Sequence, residues 1–325
     1  MTAAERGTQE DRRPSALGWP EPVSRETSNG APATEANVSR ETATSAATRQ
    51  PRPAAPGEPW PRPASRRIIT TANQKGGVGK TTTAVNVAAA MSQHGLRVLV
   101  IDLDPQGNAS TAFDVPHQSG APSSYDVLVE GRPLTDVAVE VDGLPGLCCV
   151  PATIDLAGAE IELVSVVARE FRLRRAIEAL DDRFDYVFLD CPPSLGLLTL
   201  NAMVGAAEVM IPIQCEFYAL EGLSQLLANI DLVKAELNPR LRVSTIVLTM
   251  YDGRTRLADQ VVAEVRGHFG PLVVDTIVPR SVRVSEAPGF GQPVISFDPG
   301  SRGARAYAAV AHEIVQQDLT QEVAR

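Results

Sequence analysis

Lysine is almost missing from this chain. Three lysines stand among 325 residues, so 27 of the 30 Lys and Arg residues are arginine. Two of the three, Lys75 and Lys80, lie in one glycine-rich stretch, and the third is Lys234. Aromatic residues make up 5% of the chain, so a core has to be built from aliphatic side chains and alanine. Cysteine occurs four times, at Cys148, Cys149, Cys191 and Cys215. None has the paired spacing of a zinc site. A disulfide scaffold is excluded, and the expectation is reduced thiols in a cytoplasmic protein. No apolar run reaches the roughly 18 residues of a membrane span, and the N-terminus shows no apolar segment of the signal-peptide kind. The net charge of −9 argues against wholesale coating of nucleic acid, so any such contact needs a local basic patch.

Composition changes sharply along the chain. Residues 1–66 hold ten of the 25 prolines, much Ala, Ser, Thr and Glu, and almost no large aliphatics. Such a stretch cannot bury enough apolar surface to offset its ordering entropy. It is expected to be a disordered tail, with "PRPAAPGEPWPRPASRR" locally extended. From Arg67 onward β-branched runs alternate with segments of helical period. "RIITT", "RVLVIDLD", "LCCVPA", "FDYVFLD", "EVMIPIQ", "RVSTIVLTM" and "LVVDTIVP" read as strands. "TTAVNVAAAMSQHG", "LVSVVAREFRLRRAIEAL", "ALEGLSQLLANIDLVKAEL", "LADQVVAEVRGHF" and "ARAYAAVAHEIVQQ" read as helices. That alternation predicts an α/β fold, a mostly parallel twisted sheet with helices on both faces. One domain is expected over residues 67–318, followed by a short tail over 319–325.

The two lysines flank Gly76-Gly77-Val78-Gly79, and Thr81 and Thr82 follow. This segment sits between a strand and a helix, where a phosphate-binding loop belongs. Glycines let backbone N–H groups approach phosphate oxygens, and the helix N-terminus adds its dipole. Lys80 would bridge the β- and γ-phosphates, the Thr81 hydroxyl would ligate Mg²⁺, and Thr82 would reach the α-phosphate. In the common pattern a further glycine stands where this chain has Asn73 or Gln74, so only the K-G-G-x-G-K-[ST]-T version fits.

"KGGVGKTT" is the deviant Walker A motif, and the chain resembles the ParA/Soj chromosome-partitioning ATPases. "DLDPQGNAS", "LAGAEIEL", "DYVFLDCPPSLGLLT", "IPIQCEFYALEGL", "LTMYDGRTRL" and "IVPRSVRVSEAPGFGQPV" carry the same likeness. The resemblance implies a P-loop ATPase that takes ATP and Mg²⁺ and closes into a homodimer around nucleotide. Lys75 then matches the signature lysine that reaches the partner's phosphates, a cation placed on charge that develops during phosphoryl transfer. A compact ammonium suits a narrow cleft between two such loops better than a guanidinium. Asp104 matches the catalytic aspartate, Asp190 the Walker B carboxylate near Mg²⁺, and Pro279 the segment wrapped around adenine. Asp102 is expected to be structural. Arg254 and Arg283 match positions that contact DNA non-specifically, and Arg256, Arg280, Arg302 and Arg305 are weaker candidates. The partner implied is a ParB-type centromere-binding protein, and the location cytoplasmic and nucleoid-associated.

Two relatives on the same fold fit less well. A MinD-like membrane-cycling ATPase needs a basic amphipathic C-terminal helix, which "AHEIVQQDLTQEVAR" does not provide. An iron–sulfur carrier needs exposed cysteines at suitable spacing. The tail also contains an internal repeat, Val23-Ser24-Arg25-Glu26-Thr27 and Val38-Ser39-Arg40-Glu41-Thr42. The codons GTT-TCA-CGT-GAA-AC, which spell this pentapeptide, form a string equal to its own reverse complement, similar to the parS site bound by ParB. The expectation is that the repeat is kept as DNA, and other synonymous codons in the gene would end that idea.

Overall fold

The computed structural model describes residues 57–216 and 221–323. The repeated pentapeptides lie outside the described residues. In chain order the main elements are β1 (Arg67–Thr71), α1 (Lys80–Gln93), β2 (Val98–Asp102), α2 (Asn108–Ala112), β3 (Val139–Glu140), β4 (Leu147–Val150), α3 (Leu156–Glu162) and α4 (Arg172–Glu178). They continue with β5 (Tyr186–Asp190), α5 (Leu197–Gly205), β6 (Glu208–Gln214), α6 (Glu221–Glu236), β7 (Arg242–Thr249), α7 (Arg256–Phe269), α8 (Val282–Glu286), α9 (Val294–Phe297) and α10 (Arg302–Val323).

The seven strands form one sheet in the order β3-β4-β2-β5-β1-β6-β7. All pairings are parallel except β3 with β4. Strand residues alternate between two cores, as a period of two requires. On β2, Leu99 and Ile101 join one core while Val98 and Val100 join the other; on β5, Val187 and Leu189 oppose Tyr186 and Phe188. The first core is covered by α3 to α7, the second by α1, α2, α9 and α10. Burial on both faces explains why these strands read as unbroken apolar runs. Helix α1 is rich in alanine and buried along most of its length, so it lies close to both the sheet and α10. It stops where expected: Gly95 takes φ +81°, and its N–H and that of Leu96 return to the carbonyls of Ser92 and Met91, a glycine-closed helix end.

Four expectations change. The run at 272–279 does not form a strand. It is bridged to β7 by the isolated parallel pair Ile246 with Val273, and to the residues just past that strand by Tyr251 with Pro279. Between them the N–H groups of Asp275 and Thr276 donate to the Glu313 carboxylate at 2.6 and 3.0 Å, which takes them out of the ladder. The expected helix from Leu163 to Leu180 is broken: Val166 is extended and Ala168 sits at φ +54°, so α4 begins only at Arg172. At the C-terminal end α10 runs on to Val323, past the expected boundary at 318.

The fourth change concerns the N-terminal boundary. Residues 58–66, expected to belong to the tail, dock on the domain. Trp60 is only 5% exposed. Its ring stacks on His94 (centroids 4.0 Å apart, planes 4° apart) and meets His312 edge-on at 5.3 Å. Its backbone N–H donates to the His94 carbonyl at 3.0 Å. Arg66 donates to the carbonyls of Ile177 in the last turn of α4 and of Leu180 and Asp181 just beyond it. These contacts lie at the edge where the parallel strands begin. The opposite edge, where they end, carries the site.

Candidate active site

The loop after β1 is built to leave space. Gly77 (φ +72°) and Gly79 (φ +90°) adopt left-handed backbone that side chains resist, and a Cβ placed on Gly76 or Gly77 would meet no protein atom within 4 Å. The loop is clamped from two neighbouring strands. Thr249 Oγ1, at the end of β7, donates to the Val78 carbonyl at 2.8 Å. Asn73 donates to the Pro212 carbonyl on β6 at 2.8 Å and accepts from the Lys75 N–H at 3.0 Å.

Lys80 opens α1 and points back over the loop, its Nζ donating to the Lys75 carbonyl at 3.3 Å. Burial holds its pKa below the ordinary value, against the pull of Asp190, Cys191 and Asp104. Asp190 ends β5, fully buried, and neither carboxylate oxygen has a hydrogen-bond partner. Its pKa is driven well above the usual carboxylate range, first by burial and then by Asp102; the Thr81 hydroxyl and Lys80 offset part of that. An orphaned pair of buried carboxylate oxygens is costly in a folded protein. The donor set, a carboxylate beside a threonine hydroxyl at a helix N-terminus, suits a hard divalent cation.

Asp102 is structural, as its position two residues before Asp104 suggested. Its Oδ1 accepts from the Asp104 N–H at 3.1 Å, and its Oδ2 from the N–H and Oγ of Ser110 at 2.9 and 2.7 Å. Burial raises its pKa to about 6. It thereby sets the turn that carries Asp104 into the cavity, where Asp104 accepts from the Gln106 N–H at 3.0 Å.

The cavity has a volume of about 670 Å³. Gly76, Gly77, Gly79, Lys80, Thr81, Thr82 and Asp104 line its polar side. Its other wall is apolar, made by Met250, Val284, Pro288, Pro293 and Val294. Pro279, expected on that wall, does not line the cavity; it bridges to Tyr251 instead. Met250 was missed. It sits at φ +52° straight after β7 with its side chain in the cavity, an uncommon conformation for a side chain of that size. Only its place directly after a strand end hinted at a role.

The remaining predicted residues are scattered. Lys75, at the loop, is about one-third exposed and pairs with Glu216 at 3.6 Å. Arg254 and Arg283 are exposed, but each stands beside carboxylates: Arg254 on Asp252 at 2.6 Å, Arg283 on Glu286 at 3.0 Å and Asp298 at 3.4 Å. Cys149, Cys191 and Cys215 are buried, and burial pushes the last two up to about 12. Thiols in that state are poor metal ligands.

A family model described as an AAA domain matches residues 66–243. The chromosome partitioning protein ParA of Caulobacter vibrioides is 50% identical over 254 residues, 78% of this chain and 95% of that protein. This chain belongs to the ParA/Soj family of chromosome-partitioning proteins. It is a family of P-loop ATPases: the Thermus thermophilus relative, described as the chromosome-partitioning ATPase Soj, is 50% identical over 249 residues, 77% of this chain and 95% of its own length. Among solved structures, a Mycobacterium smegmatis protein described as cobyrinic acid a,c-diamide synthase, with bound ATP analogue and magnesium, superposes with a TM-score of 0.66 at 37% identity. That match covers 76% of this chain and 93% of the other. The ParA/Soj fold was thus readable from the motif residues. Among the described residues no helix is long and apolar enough to cross a membrane.

Proposed function

We propose that this chain is an ATP-driven dimerisation switch that moves chromosomal or plasmid DNA. It binds ATP and Mg²⁺ in the cavity, pairs with a second copy, holds DNA non-specifically as the dimer, and hydrolyses ATP slowly until a ParB-type partner speeds it. The observation that supports this best is the buried, unpartnered carboxylate of Asp190 facing Lys80 and Thr81 beside an open glycine loop. Such an arrangement is unfavourable alone and becomes favourable when a cation and a polyphosphate complete it.

The roles follow from charge and position. Thr81 and Asp190 would hold Mg²⁺, which supplies charge neutralisation to the phosphate oxygens when bound. Backbone N–H groups of the loop and Lys80 bind the phosphates, and Thr82 lies where the α-phosphate would reach. The apolar wall around Met250, Pro288 and Pro293 takes the base. Pro279 acts indirectly, by fixing the Tyr251 backbone next to Met250. Asp104 orients water towards the γ-phosphorus. The water oxygen forms the new P–O bond, and the bond to the β–γ bridging oxygen breaks to release ADP. Lys75 of each copy reaches the nucleotide of the other, so loss of the γ-phosphate loosens the pair.

DNA contact falls to Arg254 and Arg283, with Arg256, Arg280, Arg302 and Arg305 as weaker candidates, all exposed. A dimer doubles each patch, which sharpens the difference between the single and paired states. The contacts are to phosphate and therefore salt-sensitive. The switch would act in the cytoplasm, on the nucleoid, without a membrane partner.

Sedimentation with a non-hydrolysable ATP analogue and Mg²⁺ tests the reading, together with ATPase activity with and without DNA and a ParB-type protein. The wild type should become a dimer and Lys75→Ala should not. A wild type that stays single under these conditions overturns the proposal.

A further inference from the structure

One carboxylate joins the two sides of the site. Glu216 lies two residues beyond β6. Its Oε1 accepts from Gln214 Nε2 at 2.6 Å and from Arg280 Nη2 at 3.1 Å. Its Oε2 stands 3.6 Å from Lys75 Nζ. Arg280 directly follows Pro279, so the same side chain touches the phosphate loop and the segment behind the apolar wall. Among the described residues Glu216 is the ion-pair partner of the Lys75 ammonium. The lysine that the proposed function sends to a second copy is thus held, in the single chain, by a carboxylate of its own subunit.

We propose that Glu216 is a latch: it parks Lys75 on its own chain, and two copies pair only when Lys75 leaves it. The inference rests on the reading of Lys75 as a trans-acting group. Two features make the latch reversible. Glu216 keeps Arg280 and Gln214 when Lys75 departs, so no carboxylate is left orphaned. The pair is also weak, with side chains 35% and 46% exposed and a separation longer than a close ion pair. Partly exposed pairs of this kind shift an equilibrium by about two- to fivefold. A latch of that strength biases the unliganded chain towards the single state and yields to the much larger charge of a partner's nucleotide. Glu216 is a positioning residue here and touches no reacting atom.

The scarcity of lysine makes the test clean. Glu216→Gln keeps an oxygen for Gln214 and Arg280 but removes the charge. The nucleotide-free chain, dilute enough to be single, is given a short pulse of an acetylating reagent and read by mass spectrometry. Lys234 on α6 is exposed and serves as the reference within each molecule, while Lys80 is buried. The Lys75 to Lys234 labelling ratio should rise about two- to fivefold in Glu216→Gln, because the amine is no longer held against a carboxylate and is more accessible to the reagent. An unchanged or lower ratio overturns the latch.

The second arm is sedimentation with the non-hydrolysable analogue. Glu216→Gln should pair at about two- to fivefold lower protein concentration than wild type. If wild type pairs and Glu216→Gln pairs no more readily, the latch fails and the functional reading stands. If wild type never pairs, the functional reading fails, and the labelling ratio still decides whether Glu216 holds Lys75.

Discussion

Removing residues 1–56 and removing residues 1–66 should have different consequences, because the docked segment around Trp60 separates the two cuts. Truncating a buried tryptophan to alanine costs about 3–5 kcal/mol. Trp60 Nε1 is itself buried without an acceptor, and that penalty of about 1–3 kcal/mol is relieved when the ring goes. About 2 kcal/mol remains for Trp60. The Arg66 bonds to three carbonyls at the C-terminal end of α4 add about 1 kcal/mol of charge placed at a helix C-terminus. A loss of about 3 kcal/mol lowers the melting temperature of a domain this size by about 6–12 °C. Thermal melts of the full chain, both truncations and Trp60→Ala measure it. The 1–56 truncation should melt like the full chain; the 1–66 truncation should melt lowest, with Trp60→Ala between. If all four melt together, Trp60 contributes nothing and residues 58–66 belong with the tail after all.

Asp190→Asn removes a buried carboxyl group that is costly to ionise away from water, so the nucleotide-free protein should melt no lower than wild type while losing the stabilisation that Mg²⁺ and ATP confer; melts with and without ligand read both. Acid dependence follows from Asp102, whose pKa is raised to about 6 from an ordinary 3.8. Between those values the folded chain keeps a proton that the unfolded chain has released. Its contribution to stability therefore falls by about 3 kcal/mol as pH rises through that window and then levels off. Asp185 and Glu208 are shifted down by Arg97 and Arg67 against the effect of burial, and their stabilisation is lost as pH falls below the ordinary carboxylate range. Denaturant titration across pH should therefore show the nucleotide-free protein most stable at about pH 4, in the ordinary carboxylate range, and less stable by about pH 6; a flat profile from pH 4 to 6 would refute the Asp102 assignment. For DNA, Arg254→Glu and Arg283→Glu should each weaken retention of the ATP-bound form at moderate salt, whereas Asp252→Asn, which frees Arg254 from its own carboxylate, should strengthen it. Unchanged retention removes the residue concerned from the DNA surface.

Much of the site was legible because its logic is local. Gly77, Gly79, Lys80 and Thr81 are contiguous, and their backbone demands and charges follow from residue type and order alone. Asp190 and Asp104 could be placed because each ends or follows an apolar run that can only be a buried strand. The same rules allowed the doubly covered sheet to be foreseen, since runs such as "VLVID" and "YVFLD" have no polar face to turn to water. They failed where a distant group intervened. Glu313, on α10, captures two N–H groups of the run at 272–279 and spoils an otherwise good strand. Trp60, in a proline-rich stretch with no core of its own, is held by His94 at the end of α1 and His312 on α10, two elements that pack side by side on the sheet.

The residue order by itself determined the fold class, the phosphate loop and the identity of the charged groups around it, because short-range sterics and burial periodicity act within a few residues. Only the tertiary structure decided what those groups face: Met250 on the cavity wall in place of Pro279, carboxylates beside Arg254 and Arg283, and Glu216 against Lys75. Each of these is a contact between segments far apart in the chain, and their meeting is set by how helices and strands pack, which no local pattern encodes.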